Sequence, residues 1–263
     1  MASALAPAGQ RAFVATAALL FAASAAITAA WCGAMSAMDG MAMPGGWTMS
    51  MAWMRMPGQT WPGAAASFFG MWLAMMVAMM LPSLLPMLWR YRAAVGAAGA
   101  ARLGKLTAAV AAAYFLVWTA CGIAVFPLGI ALAQAAMRLP ALARAMPAAG
   151  ALVILAAGGL QFSRSKARLL HCCRQAPCHG LAPDMAAAWR HGLRLGWRCV
   201  RCCAGPTAVL LALGVMDLRV MAAVTAAISA ERLAPSGVRV ARFTGAVAVG
   251  AGLLLLARSA GAG

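Results

Sequence analysis

Residues 67–89 read SFFGMWLAMMVAMMLPSLLPMLW, a continuous apolar run without a charged side chain. A helix of about 20 apolar residues crosses the ~30 Å hydrocarbon core of a bilayer, so a run of this length is sufficient. Pro82 and Pro86 remove backbone donors near its end and are expected to bend the last turns, which membrane helices tolerate. The run therefore predicts a transmembrane helix, and it decides the fold class.

The composition extends the same conclusion to the whole chain. Of its 263 residues, 65% are hydrophobic and 10% are charged, whereas a soluble domain has about a quarter charged residues and under half apolar ones. Lys and Arg number 21 against 4 acidic residues, which gives a formal net charge of +17. These basic residues flank apolar runs, as the positive-inside rule requires, and do not interleave with aromatic residues on a polar domain. We therefore predict a membrane protein that does not bind nucleic acid.

Further apolar runs predict an all-α, polytopic bundle of six to seven transmembrane spans in a single domain, residues 1–263. The predicted spans are residues 12–31, 67–89, 106–133, 147–160, 199–216, 220–230 (a short span) and 243–256. Most Lys and Arg residues share one side with the N-terminus, which predicts a cytoplasmic N-terminus in a multi-pass protein of the cell's inner (plasma) membrane. Residues 32–66 then form a Met-rich external loop, and residues 161–198 a basic Cys/His cytoplasmic segment. Two alternatives stay open: residues 1–31 as a cleaved signal peptide, and the fifth and sixth spans as a re-entrant pair.

Three cysteines lie within five residues in the stretch His191-Gly-Leu-Arg-Leu-Gly-Trp-Arg-Cys199-Val-Arg-Cys202-Cys203. Their i, i+3 and i+4 spacing predicts that they share one helix face, at the first turn of the fifth span. Cytoplasmic thiols stay reduced, so this group favours metal or redox chemistry over disulfides. The helix N-terminus and the neighbouring arginines favour the thiolate. The Gly192-x-x-x-Gly196 spacing predicts close approach of another helix.

A second group of soft or borderline ligands lies upstream on the same predicted cytoplasmic segment. It consists of His171, Cys172, Cys173, Cys178, His179 and His191. Four ligands drawn from both groups suit Zn(II), while two or three thiolates suit Cu(I). The alternative is that the cysteines are small packing residues, but their clustering with histidines favours a metal site.

Methionines form a third pattern. Met71, Met75 and Met79 stand at i, i+4 and i+8, with Met76 and Met80 beside them, and we count Met75, Met76, Met79 and Met80 among the candidate ligands. The predicted external loop adds thioethers at M-x-M and M-x-x-M spacing. Thioethers prefer soft ions such as Cu(I). The alternative in both places is that Met serves as flexible apolar filler.

Acidic residues offer little catalytic chemistry. Glu231 lies at the cytoplasmic end of the sixth predicted span, where it pairs with Arg232 or another arginine, or else supplies an oxygen ligand or a proton site. Asp217 is predicted to cap a helix start. The sequence contains no Ser-His-Asp order, no Gly-rich phosphate loop and no paired carboxylates. We therefore do not expect an enzyme.

Three blocks from about Trp72 onward resemble a bacterial family of predicted metal-binding integral membrane proteins, a domain of unknown function. The first block is Met75-Met76-Val-Ala-Met79-Met80-Leu-Pro82-Ser with Pro86-Met87, and the second is Gln161, Lys166, Cys173-Arg174 and Pro177. The third and most specific is Gly192-x-x-x-Gly196-x-x-Cys199-Val-x-Cys202-Cys203, continuing to Gly214, Met216, Met221 and Glu231. The chain departs from the family pattern at Leu169, Arg201, Ala204 and Arg232, where the family has Cys, Gly, an aromatic residue and Lys. The resemblance implies a helical membrane fold with a metal site, where His171 or Cys172 substitutes for the cysteine absent at Leu169.

Together these patterns predict a metal-binding membrane protein for copper or another soft transition metal, in binding, delivery or transport. Cu(I) is favoured and Zn(II) is the second choice. The expected partners are the lipid bilayer, the metal ion and a metal-delivering or accessory protein. One alternative is a membrane thiol-disulfide oxidoreductase using Cys199 and Cys202, although Cys32 is the only cysteine predicted outside. The other is a non-catalytic accessory subunit whose basic face contacts anionic lipid.

Overall fold

The protein is almost entirely helical in the computed structural model, which describes residues 7–38, 40–55, 58–95, 99–174 and 183–261. This confirms the all-α prediction. The described residues form eight α-helices: α1 (Pro7–Ser36), α2 (Trp61–Val95), α3 (Ala100–Arg138), α4 (Pro140–Leu160), α5 (Arg164–Arg174), α6 (Met185–Leu213), α7 (Leu218–Leu233) and α8 (Gly237–Gly261). A hairpin of β1 (Met41–Met43) and β2 (Trp47–Met49) and a single 3₁₀ turn (Met51–Trp53) lie between α1 and α2.

Five helices are long and apolar enough to cross a membrane. They are Gly9–Ser36 within α1, Trp61–Val95, Ala100–Arg138, Pro140–Leu160 and Gly237–Ala260 within α8. In the described part of the chain, α6 and α7 do not belong to this set, although the sequence predicted a span in each. The N-terminal half of α6 is rich in arginine. The 16 residues of α7 reach about 24 Å, which is shorter than the ~30 Å hydrocarbon core.

The segment between the first two spans is more ordered than the predicted loop at 32–66. α1 continues to Ser36 and α2 begins at Trp61, while the residues between include an antiparallel hairpin that pairs Met41 with Met49. Gly45 and Gly46 have φ of 101° and 73°, the left-handed conformation that a tight reversal of the chain requires. Hydropathy alone does not reveal strands of three residues, so the sequence predicted only a loop between the two helices.

The predicted linker between the third and fourth spans is reduced to one residue. α3 runs to Arg138 and α4 begins at Pro140, with only Leu139 between them. Proline disfavours the helical conformation of the residue before it, and Leu139 is extended at φ −121° and ψ 95°. Pro140 itself stands at the first helical position, where its missing N–H costs nothing.

The predicted polar segment at 161–198 is largely helical. It contains α5 and the first half of α6, whose N-cap Asp184 accepts a hydrogen bond from the Ala187 N–H at 3.1 Å. Cys199 therefore lies about four turns into α6, and the prediction of a first-turn position was wrong. The favourable helix dipole acts within the first turn only, so it does not stabilise a thiolate at Cys199. Asp217 caps α7 as predicted, accepting from the N–H groups of Arg219 (2.7 Å) and Val220 (3.2 Å).

Glycines set the helix packing around the core. A Cβ added at Gly192 would overlap the carbonyl oxygen of Val110, and one at Gly196 would lie 2.9 Å from the carbonyl oxygen of Tyr114. This confirms the predicted close approach and brings α6 against α3. Gly158 packs α4 against α8 in the same manner, since its added Cβ would lie 3.0 Å from the Gly245 carbonyl oxygen. The core thus brings α2, α3, α6 and α7 together around the cysteines.

Candidate metal centre

The three cysteines of α6 lie in the protein core on one helix face, as their spacing predicted. Cys199, Cys202 and Cys203 are at most 2% exposed. The Sγ of Cys199 lies 3.7 Å from the Sγ of Cys203 and 4.0 Å from the Sδ of Met80 on α2. A second thiol and one thioether therefore lie next to the buried Cys199 sulfur, and we call these three residues the sulfur site (Cys199, Cys203 and Met80).

Two donors from other helices point at the same sulfur. The Tyr114 hydroxyl donates to Cys199 Sγ at 2.9 Å, and Arg232 Nη1 donates to it at 2.9 Å. Arg232 is 5% exposed and also donates to Ser83 Oγ at 3.0 Å and to Met87 Sδ at 3.2 Å. A fixed positive charge beside a buried sulfur stabilises the thiolate, which is the metal-binding form.

A buried ion pair supports the cysteine helix from the other side. Lys166 Nζ lies 2.7 Å from Glu231 Oε2 and donates to the Cys202 carbonyl oxygen at 2.7 Å. Burial opposes the charged ammonium, but the negative charges of Cys202 and Glu231 outweigh it and raise the pKa of Lys166. The network joins α5 to α6 and α7.

Glu231 is engaged by more than this lysine. Its Oε1 accepts from Gln161 Nε2 at 2.7 Å and from Thr244 Oγ1 at 2.7 Å. Its ion-pair partner is thus Lys166 and not Arg232 or another arginine, the partners expected from the sequence. With both oxygens already bonded, the geometry favours a positioning role for Glu231 over that of an oxygen ligand.

Of the upstream residues on α5, Cys173 contacts the cysteine stretch of α6. It is buried on α5, and its Sγ donates to the Arg198 carbonyl oxygen at 3.7 Å. A hydrogen bond with the Cys202 sulfur, together with burial, raises the pKa of Cys173. Cys173 is therefore a neutral thiol beside Cys202.

The structure does not bring the described upstream residues His171, Cys172 and His191 to the sulfur site. His171 and Cys172 are exposed on α5. His191 is half-buried and stacks on Tyr91 with ring centroids 5.3 Å apart, while burial and the charges of Arg198 and Arg194 lower its pKa. Cys178 and His179 lie outside the described residues.

The candidate centre differs from a Cys/His zinc site. Within the ranges that the structure describes, no three His, Cys, Asp or Glu side chains converge in a geometry ready to hold an ion. A tetrahedral zinc site needs four such ligands, whereas two thiolates and a thioether suit Cu(I). The methionine stripe of α2 accompanies this set, since Met71, Met75, Met76, Met79 and Met80 are all buried.

Sequence reasoning missed the donors to Cys199. Tyr114 and Arg232 are separated from it by 85 and 33 residues along the chain. The available signal was their polarity within apolar helices, where a polar group marks a functional position. Lys166 and Gln161 were quoted only as part of the family resemblance.

The fold and the site define an apolar helical protein with a buried soft-ligand centre. The sequence pattern of the PpoB2 family, described as a copper chaperone, matches residues 69–255. This match covers more than half of the chain, so the protein belongs to the PpoB2 family. The expected relation to a metal-related family is thereby confirmed, and copper is the metal that the family description names. Comparison with curated proteins and with solved structures finds no match.

Proposed function

We propose that the protein is an integral membrane copper chaperone that binds Cu(I) at the sulfur site and passes it to a partner protein. The observation that carries this proposal is the convergence of Cys203 Sγ and Met80 Sδ on Cys199 Sγ, at 3.7 Å and 4.0 Å. Sulfur-only sites of low coordination number are selective for Cu(I). The family description, copper chaperone, agrees with this chemistry.

Ligand number supports a monovalent ion. Cys199, Cys203 and Met80 supply three soft sulfur ligands, whereas a tetrahedral Zn(II) site needs four ligands. Cu(I) is suited to a small set of thiolate and thioether ligands. The site therefore favours Cu(I) over Zn(II).

We further propose that α1, α2, α3, α4 and α8 span the inner membrane with the N-terminus in the cytoplasm. In this arrangement α6 and α7 form a helical hairpin that enters from the cytoplasmic side and returns to it. The apolar character of the five long helices supports the spans. The arginines of α5 and of the first half of α6 support the cytoplasmic assignment.

A thiol-disulfide oxidoreductase fits the geometry less well. Its attacking thiol has to meet a partner disulfide at the protein surface. Cys199 and Cys202 are both buried. We therefore propose binding and delivery of the metal without a catalytic reaction.

The test is a Cu(I) titration of the full-length protein in detergent against a competing chelator. Cys199→Ser removes the central sulfur and is expected to weaken binding at this site at least tenfold, or about 1.4 kcal/mol. The matched control is Cys172→Ser, since Cys172 is exposed on α5 and is expected to leave the affinity unchanged. Wild-type affinity in Cys199→Ser would refute the assignment.

A further inference from the structure

A cavity of about 200 Å³ lies where the end of α1, the 3₁₀ turn and the start of α2 meet. Among the described residues, six methionines line it, contributed by α1 and the residues just after it, the 51–55 segment, α2 and the turn before α7: Met35, Met38, Met51, Met54, Met71 and Met216. We call it the methionine pocket. Most of its lining precedes residue 69, so it lies largely outside the region that matches the PpoB2 family.

The lining chemistry restricts the ligand class. No Asp, Glu, His or Cys side chain from the described part of the chain lines the pocket. Hard cations, which need oxygen ligands, and Zn(II), which needs thiolate, imidazole or carboxylate, therefore lack partners there. Neutral thioethers are ligands for soft monovalent ions, and the rings of Trp31 and Trp53 add a favourable face for a cation.

Arg55 is the single charged residue among the described lining residues, and it contacts the ring of Trp61. The guanidinium carbon of Arg55 lies 5.5 Å from the centroid of the Trp61 ring, an arrangement in which the ring stabilises the cation. Met35, Met38, Met51 and Met54 are partly exposed, which makes the pocket accessible from its outer side. Met71 forms its buried floor.

The pocket wall is fixed by packing against the helices. The ring of Trp53 packs directly against the backbone of α3 at Gly129. A Cβ at this position would overlap the ring. Trp53 also packs on Phe68 of α2 with ring centroids 5.6 Å apart. The hairpin is tied to α4 by a hydrogen bond from Trp47 Nε1 to the Ala143 carbonyl oxygen at 2.8 Å. These contacts fix the position of the segment that carries Met51 and Met54.

The pocket is continuous with the methionine stripe. Met71 belongs to both, and Met75 and Met79 follow it at intervals of about one turn. From residue 71 to residue 80 the helix rises about 14 Å. At the far end, Met80 lies 4.0 Å from Cys199. Buried methionines on α2 therefore occupy the stretch between the pocket and the sulfur site.

We propose that the methionine pocket is a second Cu(I) site, from which the stripe of α2 carries the ion to Cys199 by exchange of one sulfur ligand for the next. No electron is transferred, and along the stripe only Cu–S bonds form and break. At the sulfur site, each cysteine thiol that becomes a ligand releases its proton to water. The choice of Cu(I) as the cargo rests on the proposed function. The geometry of the pocket itself is independent of it.

The test measures bound copper per protein at saturation, with the full-length protein in detergent and Cu(I) kept reduced by ascorbate. The variant Met35→Leu/Met51→Leu/Met54→Leu removes three thioethers at nearly constant volume and is expected to lose one equivalent of copper. The matched control changes exposed methionines that do not line the pocket to leucine, namely Met41, Met137 and Met185. It is expected to bind as much copper as the wild type.

The double variant Cys199→Ser/Cys203→Ser separates this inference from the proposed function, because it removes both thiols of the sulfur site. The pocket predicts that this variant keeps one equivalent, with only thioether sulfur around the ion in its X-ray absorption spectrum. If the pocket variant alone loses copper and the double cysteine variant loses none, the proposed function fails and the pocket stands. If the pocket variant binds as much copper as the control, or the double cysteine variant binds none, the pocket is not a metal site.

Discussion

Arg232→Met removes the guanidinium that contacts Cys199, Ser83 and Met87 while leaving a side chain of comparable length. Cys199 then keeps the Tyr114 hydroxyl as its polar partner but loses its buried counter-charge. Removing one member of a buried, hydrogen-bonded charge pair costs about 2–5 kcal/mol. The expected result is a Cu(I) affinity at the sulfur site lower by a factor of roughly 30 to several thousand.

Arg232→Lys refines the same experiment. Lysine keeps the charge, but its compact ammonium does not reproduce the planar fork that reaches three acceptors. We expect an intermediate loss of about tenfold, or 1.4 kcal/mol. Arg239→Met is the matched control, because Arg239 is exposed on the neighbouring α8. Competition with a chelator measures all three variants, and wild-type affinity in Arg232→Met would refute the role of the guanidinium.

Lys166→Met leaves Glu231 unpaired in the core and is expected to lower the free energy of unfolding by about 3–5 kcal/mol in chemical denaturation. The pKa of Lys166 in the folded protein is raised above 10.5. The contribution of the ion pair to stability is therefore complete below about pH 10.5 and is lost as the pH rises through the folded pKa. A loss of stability that starts near neutral pH would contradict this. Gly192→Ala forces a Cβ against α3 and is expected to cost about 1–3 kcal/mol in thermal unfolding, whereas Gly104→Ala, with open space around its Cβ, should be neutral or slightly stabilising. Equal effects of Gly192→Ala and Gly104→Ala on thermal unfolding would contradict the role of Gly192 in packing α6 against α3. A maleimide should label the exposed Cys172 in the native protein, so Cys172→Ser should reduce labelling and Cys199→Ser should not.

The helical class was predictable because hydropathy is a local property. Apolar runs such as residues 67–89 are visible without knowledge of what they contact, and the structure contains α2 where that run predicts a helix. Helix boundaries were less predictable. The first half of α6 carries several arginines on a helix capped by Asp184, and hydropathy does not distinguish a basic helix from a basic loop.

The cysteine face was predictable for the same reason, since the spacing of Cys199 and Cys203 fixes their relation on any helix. Their partners were not, because contacts between helices depend on which faces pack together. The Arg232 contact with Cys199 depends on α7 lying against α6, and the Lys166 contact with Glu231 joins α5 to α7. A single sequence carries no signal for either pairing.

The hairpin before α2 illustrates a third case. The sequence shows the methionines of this segment as thioethers in a loop, but their arrangement around one pocket depends on the reversal at Gly45 and Gly46 and on the docking of Trp53. Strands of three residues leave almost no periodicity to detect. The chemistry of these residues was therefore visible in the sequence, whereas their arrangement was not.

Copper-edge X-ray absorption of the full-length protein, loaded with less than one Cu(I) per chain, tests binding at the sulfur site most directly. Binding at Cys199 predicts an all-sulfur shell that loses a thioether sulfur in Met80→Leu and a thiolate sulfur in Cys199→Ser. A shell containing nitrogen or oxygen, or a spectrum unchanged by Cys199→Ser, would contradict it.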